Sequence, residues 1–361
     1  MNKIYWWSTN FNNGEIEEIT KSIINRNISQ GPVAAKLEKK LAEYLNVPYV
    51  VTTTSGSMAL LMSCMALGIG HGDEVIVPNR TWIATAHAPY LLGAKIIFVD
   101  VEENRPIING NLIENLITSK TKAIIPVHMC GRSADMQHIN ILSKKYNIPI
   151  IEDAAQALGS KNGIGYLGTQ SDLGCLSFSV AKIIATGQGG FIVCHTKHLY
   201  DKLISIRTHG VGNIINAEFT QPGFNFRFTD ILASIGIVQL TTLNDRIKRV
   251  KEIYQKYIIS LTGNPNIKII QVDIENGEVP VYVEAIASQR DNLIIYLASK
   301  GIECRPFYPS LNDAKYFNSK NNIFQNSENF AKNGFYLPSG PDLSNESIDT
   351  ILFEINNFFN D

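Results

Sequence analysis

The sequence LSFSVAKIIATGQGGFIV, residues 176–193, places one lysine, Lys182, between two short apolar runs. From Asp172 to Lys197 the chain has no other Asp, Glu, Lys or Arg, so the surroundings of Lys182 are not a solvated charged face. Burial lowers the pKa of a lysine, and a neutral amine attacks carbonyl carbon, which makes Lys182 a candidate Schiff-base former. The alternative is a lysine whose stem packs while its ammonium reaches solvent.

The chain around this stretch alternates short β-branched runs with longer amphipathic segments over its first two thirds. Such alternation is typical of an α/β fold, in which helices connect the parallel strands of one sheet. The intervening segments, such as SMALLMSCMALGI and DMQHINILSKKYN, carry apolar residues on one face and end near a Gly or Asn. Seven strands are predicted: YVVT (49–52), EVIVP (74–78), KIIFVD (95–100), KAIIPVH (122–128), PIIED (149–153), CLSFS (175–179) and GFIVC (190–194).

The pattern changes in the last third, where apolar residues recur at helical steps after Thr229 and predict one long helix that ends at LTGNPN. The rest predicts two strands, a helix over RDNLIIYLASKG, a further strand, an irregular polar stretch around residues 312–335 and a final helix begun by Ser344. We therefore expect a large α/β domain over residues 1–245 and a smaller α+β domain over residues 246–361.

The composition is that of a globular protein, with 361 residues, 45% hydrophobic content and a net charge of -1. No dense block of Lys and Arg is present, so neither nucleic acid nor an anionic membrane is an expected partner. The first residues hold an apolar run too short for a signal peptide and no run reaches membrane-spanning length, so a cytoplasmic location is expected. The five cysteines are odd in number and widely spaced, which predicts reduced thiols, and HTKH (195–198) lacks a third ligand, so no metal site is expected.

Chemically distinctive residues follow several predicted strands, at the edge where open parallel sheets bind ligands. After the first strand a Ser-Gly-Ser turn opens a helix, so its N–H groups can hold a phosphate; an ordinary serine N-cap is the alternative. Trp82 follows the second strand and offers its indole to a planar ligand or to simple packing. Asp153 ends the fifth strand as a site carboxylate or an N-cap, and the sixth carries Ser177 and then Lys182.

One cofactor needs all of these groups at once. Pyridoxal 5'-phosphate requires an anchor for its phosphate, a lysine for its aldehyde and an anion near the pyridinium nitrogen, so that the ring can accept an electron pair. The order of the residues along the chain therefore favours pyridoxal phosphate, with Lys182 as the point of covalent attachment.

Four motifs resemble those of the DegT/StrS-type (DegT/DnrJ/EryC/StrS) sugar aminotransferases: SGSMAL, IEDAAQALGS, SFSVAK followed by TGQGG, and GFNFRFTDILASIGIVQL. The resemblance runs from about residue 29 to residue 344 and so covers nearly the whole chain. It implies PLP fold type I, an aspartate aminotransferase-like α/β architecture with a mostly parallel seven-stranded sheet and a smaller C-terminal α+β domain.

The resemblance also implies a role for each matched residue. Lys182 resembles the lysine that joins the cofactor aldehyde, and Asp153 resembles the partner of the pyridine nitrogen. Gln156 is similar to the residue beside the ring 3-hydroxyl, and Trp82 to the aromatic that stacks on the ring. Asn225 resembles an asparagine that reaches the phosphate site of the neighbouring subunit, which implies a homodimer with shared active sites. The phosphate binders, by the same resemblance, are Gly56, Ser57 and Ser177.

The implied reaction transfers an amino group from an amino acid, by family habit L-glutamate, to a keto acceptor, with pyridoxamine phosphate as the intermediate carrier. The released Lys182 amine would move the proton between the donor Cα and the cofactor, acting as base and then acid, while Asp153 keeps the pyridinium protonated. The expected acceptor is a nucleotide-linked keto-deoxysugar destined for surface polysaccharide.

Departures from the family pattern concern the acceptor. Ser179 and Val180 stand where His-Pro is usual, Gln188 replaces the Glu of TGEGG, and Asn312 replaces a histidine near the substrate. The loop between HGVG and GFNF is also short, which leaves less chain to hold a large nucleotide. A small keto phosphate, such as dihydroxyacetone phosphate, is therefore the alternative acceptor.

Three other activities belong to the same scaffold. A branch that dehydrates sugars has histidine in place of Lys182, so this chain does not match it. Decarboxylation or retro-aldol cleavage would use the same cofactor binding and differ in which Cα bond lies perpendicular to the ring. A non-catalytic sensor or regulator is the third, although Lys182, Asp153 and Gln156 are the residues of catalysis and no DNA-binding segment is seen.

Overall fold

The computed structural model describes residues 3–211, 218–317 and 323–360. Helices and strands alternate along the first two thirds of the chain, as the sequence pattern predicts. The helices are α1 (Asn13–Ile24), α2 (Pro32–Leu45), α3 (Gly56–Ala66), α4 (Ala84–Leu91), α5 (Gly110–Ile113), α6 (Met136–Tyr146), α7 (Lys197–Arg207), α8 (Asp230–Thr241), α9 (Leu243–Leu261), α10 (Arg290–Ser299), α11 (Gln325–Asn333) and α12 (Asn345–Asn360). The strands are β1 (Tyr49–Thr53), β2 (Glu74–Pro78), β3 (Lys95–Val99), β4 (Thr121–Ile124), β5 (Ile151–Asp153), β6 (Leu173–Ser177), β7 (Gly190–Cys194), β8 (Ile267–Ile269), β9 (Val283–Ala287), β10 (Arg305–Pro306) and β11 (Gly334–Leu337).

The seven predicted strands of the large sheet are all present. They form a four-stranded unit, β1–β7–β6–β5, and a three-stranded unit, β4–β2–β3. Parallel bridges from Ile124 to Ile150 and from Val127 to Asp153 join the two units between β4 and β5. The expected mostly parallel, seven-stranded α/β sheet is therefore confirmed.

Strand β7 departs from the parallel pattern, because it runs antiparallel to both of its neighbours, β1 and β6. Parallel neighbours need a crossover connection, usually a helix. The chain between β6 and β7 is the loop that carries Lys182, and it holds no helix. This loop returns the chain across the same edge of the sheet, so it stays close to the ends of β5 and β6.

A second sheet lies C-terminal to the first and is antiparallel, with the order β10–β11–β9–β8. Its core includes the buried residues Tyr257, Phe335 and Ile351, contributed by α9, β11 and α12. Helix α12 begins as predicted, because the hydroxyl of Ser344 accepts a hydrogen bond from the Ser347 N–H at 3.1 Å. The boundary between domains after residue 245 stays a prediction.

Two expectations about the last third are corrected. The single long helix is two helices, α8 and α9, separated at Thr242. The irregular stretch around residues 312–335 contains helix α11 and strand β11, while residues 318–322 lie outside the described chain. The reason is local: α11 is short and very polar, with few apolar residues to mark its buried face, and β11 begins at the residue directly after it, so no loop separates the two elements.

Two buried arginines connect the sheets. Arg80 follows β2 and Arg132 follows β4, and both guanidinium groups pair with Glu284 of β9. The Arg132 Nε also donates to the Gln271 carbonyl oxygen at 2.8 Å. Because all three charged side chains are buried, each depends on the others for compensation. This triad fixes the second sheet against the carboxyl ends of the large-sheet strands.

The N-terminal strap, residues 4–10, runs from the second sheet to helix α9. Ile4 forms a parallel bridge with Ile302, and the Trp6 carbonyl oxygen accepts from the Ser339 N–H at 3.1 Å. At its other end the Asn10 carbonyl oxygen accepts from Arg246 Nη2 at 2.7 Å. The strap thereby carries Trp6 to the space between the sheets.

The cysteines and the lengths of the apolar helices were also considered from the composition. All five cysteines are free and buried, which confirms the prediction of reduced, packed thiols. Over the described ranges no helix is long and apolar enough to span a membrane.

Candidate active site

A cavity of about 290 Å³ lies where the large sheet, the Lys182 loop and the second sheet meet. Its wall combines carboxyl ends of large-sheet strands with the start of α3 and with aromatic residues of the second sheet. Seven of the eight predicted site residues line it together: Gly56, Ser57, Trp82, Asp153, Gln156, Ser177 and Lys182.

Lys182 lies half-buried in the loop between β6 and β7, and its neighbours on this loop are fastened through their carbonyl oxygens. The Tyr282 hydroxyl donates to the Ala181 oxygen, and Arg246 Nη1 donates to the Ile183 oxygen at 3.1 Å. Burial lowers the pKa of the Lys182 ammonium to about 8, against the opposing attraction of Asp153. The neutral fraction of this amine near neutral pH is therefore much larger than that of an ordinary lysine, as a nucleophile requires.

Asp153 ends β5 with its carboxylate buried in the cavity wall. Its Oδ2 accepts from the Thr85 hydroxyl at 2.7 Å, and its Oδ1 accepts from the Ala155 N–H at 3.1 Å. Burial raises the pKa of Asp153, and these two hydrogen bonds and the charge of Lys182 oppose that rise. A cationic group that entered the cavity would also lower the pKa of Asp153 and so keep its carboxylate ionised.

The neighbouring carboxylate, Glu152, does not line the cavity, because successive residues of a strand point to opposite faces. Its Oε2 lies 2.9 Å from His128 Nε2 and accepts from the Gly168 N–H at 2.8 Å. The His128 Nδ1 accepts from the Ala134 N–H at 3.2 Å, which assigns the proton to Nε2. Glu152 is therefore a structural residue, and Asp153 alone of this pair faces the site.

The Ser-Gly-Ser turn contains an N-cap and also places the start of α3 at the cavity. Ser55 is an ordinary N-cap, whose hydroxyl accepts from the Met58 N–H at 3.1 Å. Gly56 and Ser57 follow at the first turn of α3, where N–H groups and the helix dipole favour an anion. A Cβ on Gly56 would lie 2.9 Å from the Cβ of Ser177, so this glycine allows the helix end to approach β6 closely.

Gln156 is oriented by Cys130, a residue that the sequence did not single out. The Gln156 Oε1 accepts from the Cys130 N–H at 2.9 Å. Cys130 adopts a left-handed backbone conformation, with φ of 54° and ψ of 30°, in the chain after β4. Because Oε1 is occupied, the amide nitrogen of Gln156 is the group left to donate to a ligand.

Trp82 lies at the cavity mouth with 49% of its surface exposed. Its ring packs edge-on against Tyr308, with the ring centroids 4.8 Å apart and an interplanar angle of 68°. One side of the indole is thus supported by protein, while the rest of its surface remains available to a planar ligand.

Two residues singled out from the sequence lie apart from the cavity. Asn225 is exposed, and its Oδ1 accepts from Arg227 Nε at 2.9 Å. Asn312 is hydrogen-bonded to Asn79: Asn79 Nδ2 donates to the Asn312 Oδ1 at 2.7 Å, and the Asn312 N–H donates to the Asn79 Oδ1 at 2.9 Å. The loop between HGVG and GFNF, which the sequence shows to be short, includes residues 212–217, and these lie outside the described residues.

The sequence did not reveal the residues that the strap and the second sheet bring to the cavity. The signal that could have found them is weak, since RPFY (305–308) is a short polar and aromatic run in an otherwise ordinary strand pattern. These residues are Trp6, Tyr282, Arg305, Tyr308 and Tyr336.

A lysine of lowered pKa next to a buried carboxylate, on an α/β sheet with a helix N-terminus at the same edge, defines a pyridoxal phosphate enzyme of fold type I. Comparison with known families gives the same class. The chain belongs to the DegT/DnrJ/EryC1/StrS aminotransferase family, whose model matches residues 10–356. It is therefore a pyridoxal phosphate-dependent aminotransferase.

Relatives and solved structures are similar over almost their full length. The GDP-perosamine synthase of Escherichia coli O157:H7 is 38% identical over 92% of this chain and 92% of its own. The dTDP-4-amino-4,6-dideoxy-D-glucose transaminase of Shigella dysenteriae is 31% identical over 91% of this chain and 90% of its own. The PLP form of a protein assigned as a sugar aminotransferase from Streptococcus pneumoniae superposes with a TM-score of 0.91, at 26% identity and 98% coverage of both chains.

Proposed function

We propose that this aminotransferase moves the amino group of an amino acid, with L-glutamate as the expected donor, to the keto group of a nucleotide-linked deoxysugar. The relatives just described are named for amino sugars carried on GDP or dTDP, which supports a sugar acceptor of this kind. The observation that carries the proposal is the pair of Lys182 and Asp153 in one cavity, with the pKa of Lys182 lowered to about 8.

The side chains present fit pyridoxal phosphate. Ser177 and the first turn of α3 would hold its phosphate, because the missing Cβ of Gly56 leaves the gap between them open. Asp153 would pair with the ring nitrogen, Gln156 would donate to the ring oxygen, and Trp82 would cover one face of the ring. When bound, pyridoxal phosphate supplies an aldehyde carbon for amines and a ring that withdraws electrons from Cα.

Lys182 would carry out the proton transfers. A pKa of about 8 would let its Nζ both take a proton from the donor Cα and return one, because it lies much closer to neutral pH than the pKa of an ordinary lysine. The hydrogen bonds that hold the carbonyl oxygens of Ala181 and Ile183 keep the loop in place while Nζ moves. The aromatic residues of the second sheet would limit access of water to the reacting atoms.

The direct test is chemical trapping of the Schiff base at its attachment site. Reduction of the pyridoxal phosphate-loaded protein with borohydride, followed by peptide mapping, should find the pyridoxyl group on Lys182, and a group on any other lysine would contradict the proposal. Lys182→Ala should retain some cofactor but lose turnover. The control Lys268→Ala changes an exposed lysine in β8 and should behave as the unmodified protein.

The chemical class of the acceptor is tested by offering candidate acceptors one at a time. GDP-linked keto-deoxysugars, dTDP-linked keto-deoxysugars and dihydroxyacetone phosphate are each offered with L-glutamate, and 2-oxoglutarate release is measured. Turnover with a nucleotide sugar and not with the small phosphate is the expected result. The reverse result would assign the enzyme to small keto phosphates, and release of carbon dioxide without an acceptor would indicate a decarboxylase.

The active site is proposed to be shared in a cytoplasmic homodimer. Asn225 is exposed outside the cavity of its own protomer, and the nearby rings of Phe219 and Phe224 are 77% and 66% exposed, as expected for a face that a second copy covers. The test mixes two inactive variants, Asn225→Ala and Lys182→Ala. Each mixed dimer would have one intact site, so activity should return on mixing; continued inactivity of verified mixed dimers would exclude a shared site.

The proposed division into two domains, 1–245 and 246–361, is supported by the two separate sheets. Limited proteolysis would check it, because the first cleavages should fall near Thr242, where α8 and α9 separate, if the parts are independent units. Cleavage confined to other loops would argue for a single unit.

A further inference from the structure

Two buried side chains hold the chain that follows Lys182. Arg246 of α9 is 8% exposed, and its Nη1 donates to the Ile183 carbonyl oxygen at 3.1 Å. Gln239 of α8 is fully buried, and its Oε1 accepts from the Ala185 N–H at 3.4 Å. The first and third residues after the lysine are therefore fixed by side chains from outside the loop.

The same two side chains also hold the N-terminal strap. Arg246 Nη2 donates to the Asn10 carbonyl oxygen at 2.7 Å, and Gln239 Nε2 donates to that oxygen at 3.1 Å. A carbonyl oxygen has two lone pairs, so it can accept both hydrogen bonds. Arg246 and Gln239 thus each bridge two segments that are far apart in the sequence, and the Asn10 oxygen is their common support.

The strap reaches the other side of the lysine through two further residues. The Thr9 hydroxyl donates to the Val180 carbonyl oxygen at 3.4 Å. Trp7 packs edge-on against Tyr282, with the ring centroids 5.1 Å apart, and the Tyr282 hydroxyl donates to the Ala181 carbonyl oxygen. The strap therefore supports the loop both before and after the lysine.

The guanidinium of Arg246 is unfavourable at a buried position unless its donors are used. Burial lowers the pKa of Arg246, against the attraction of Glu15 and Asp342. A buried aliphatic side chain would avoid this desolvation, but it could not donate to two carbonyl oxygens. The planar guanidinium presents donors on separate nitrogens in a fixed geometry, which suits a bridge between two backbone segments. The bridge between loop and strap thus explains an arginine at this position.

We propose that Arg246 and Gln239 are positioning residues for Lys182, which fix the loop against the carbonyl oxygen of Asn10 and so make the placement of Nζ depend on the N-terminal strap. The proposal rests on the proposed role of Lys182 and goes further, because these residues do not line the cavity. Displacement of a catalytic group by about 1 Å can lower a rate about a hundredfold. A loosened loop would also admit water to Nζ and weaken the effect of burial on its pKa.

The pKa of Lys182 reports its placement without cofactor or turnover. Full-length, cofactor-free protein is labelled with acetic anhydride, which attacks neutral amines, over a range of pH, and the labelled peptides are mapped. The Lys182 midpoint should lie near 8 in the unmodified protein and rise toward 10.5 in Arg246→Met, because water reaches Nζ. Arg249→Met is the matched control: Arg249 is one turn further along α9, and its Nη2 donates to the Leu343 carbonyl oxygen, away from the loop.

The groups around Lys182 stay the same in these variants. Among the described residues, its titratable and charged neighbours are Asp153, Cys130, Arg305, Tyr282, Tyr308 and Tyr336. The exposed Lys268 in the same digests is the internal reference and should keep one midpoint in all the proteins.

Arg246→Lys separates position from charge. It keeps the positive charge and most of the stem, but a single ammonium does not reproduce the two bonds of the guanidinium fork. Its Lys182 midpoint should therefore also rise. A normal midpoint in Arg246→Lys beside a raised one in Arg246→Met would overturn the proposal, since the charge of Arg246 and not the bridge would then set the pKa.

A double variant tests the common support. If Arg246 and Gln239 fix one loop against one oxygen, the effects of Arg246→Met and Gln239→Leu are not additive. The double variant should move the Lys182 midpoint little further than the stronger single variant does. Additive movements would show that the two side chains act independently and would overturn the shared role of Asn10.

Turnover supplies the last readout. In the pyridoxal phosphate-loaded enzyme, Arg246→Met should lower kcat about tenfold or more and leave the half-saturating L-glutamate concentration within a few fold, because Nζ moves while the cavity wall stays. Normal kcat with an unchanged midpoint in Arg246→Met, or equal losses in Arg249→Met, would overturn the proposal. If borohydride places the cofactor on another lysine, the proposed function fails, while the Lys182 midpoint still decides between positioning and no positioning.

Discussion

The hydroxyl of Thr85 in α4 lies 2.7 Å from Oδ2 of Asp153, at the end of β5. This contact joins the helix after one strand to the carboxylate at the end of another. Burial raises the pKa of Asp153, and the Thr85 hydrogen bond opposes that rise. The ionisation of the proposed ring-nitrogen partner therefore depends on a residue outside its own strand.

Thr85→Val should move the acid limb of the activity profile to higher pH. The folded pKa of Asp153 is already raised above its ordinary value, and without the hydrogen bond it rises further, so the ionised form is lost at a higher pH as the medium is acidified. The measurement is the pH dependence of cofactor retention and turnover. Thr81→Val is the matched control, because the Thr81 hydroxyl contacts Thr85 and not Asp153; equal profiles for the two variants would contradict this role.

Lys182→Met should stabilise the cofactor-free protein at pH 7. The folded pKa of Lys182, about 8, lies below its unfolded value of 10.5, so the unfolded chain binds this proton more tightly. The buried Lys182 ammonium therefore lowers the free energy of unfolding of the unmodified protein. This destabilisation is fully present below pH 8 and disappears as the pH rises from 8 toward 10.5. The stability gain of Lys182→Met in urea unfolding should therefore shrink between pH 7 and pH 9.5. Lys268→Met, at an exposed position, should show no such pH dependence.

Glu284→Gln should be strongly destabilising. It leaves the buried guanidinium groups of Arg80 and Arg132 without their shared carboxylate, and breaking a buried ion pair from one side costs about 3–5 kcal/mol. Glu303→Gln removes the carboxylate from the exposed pair with Arg305 and should cost no more than about 1 kcal/mol. Urea unfolding of both variants measures the two losses in the free energy of unfolding. Similar losses would show that burial does not make the triad contribute more to stability than the exposed pair.

Cys130 should tolerate glycine better than valine. Its left-handed backbone, with φ of 54°, is accessible to glycine without strain, whereas a β-branched side chain resists it. Cys130→Gly keeps the N–H that orients Gln156, so its cofactor affinity should stay within a few fold of the unmodified protein, at some cost in packing. Cys130→Val should bind the cofactor more weakly in equilibrium dialysis. The opposite order would contradict this role of the backbone conformation, whereas equally weak binding by both variants would indicate that the Cys130 sulfur, 3.3 Å from Gln156 Oε1, orients the amide.

Much of the fold and of the cofactor site could be predicted, because local pattern determines both. Several large-sheet strands are short β-branched runs. Asp153 and Ser177 end two neighbouring parallel strands, so their meeting at one edge follows from parallel strand order. The antiparallel course of β7 could not be predicted from its composition, which suits either direction. Arg305 and Tyr336 reach the cavity only because the arginine triad and the N-terminal strap dock the second sheet, and such tertiary contacts have no periodic signature.

Gly56→Ala should weaken cofactor binding about tenfold or more while leaving the fold intact. The added Cβ would lie 2.9 Å from the Ser177 Cβ, so the start of α3 must move away from β6 and widen the gap proposed to hold the phosphate. Alanine is a better helix former than glycine, so α3 itself is not weakened. The control Gly70→Ala has its nearest neighbour at 4.0 Å and should bind normally. Fluorescence titration of the apoprotein with pyridoxal phosphate measures both, and equal affinity would show that the phosphate lies elsewhere.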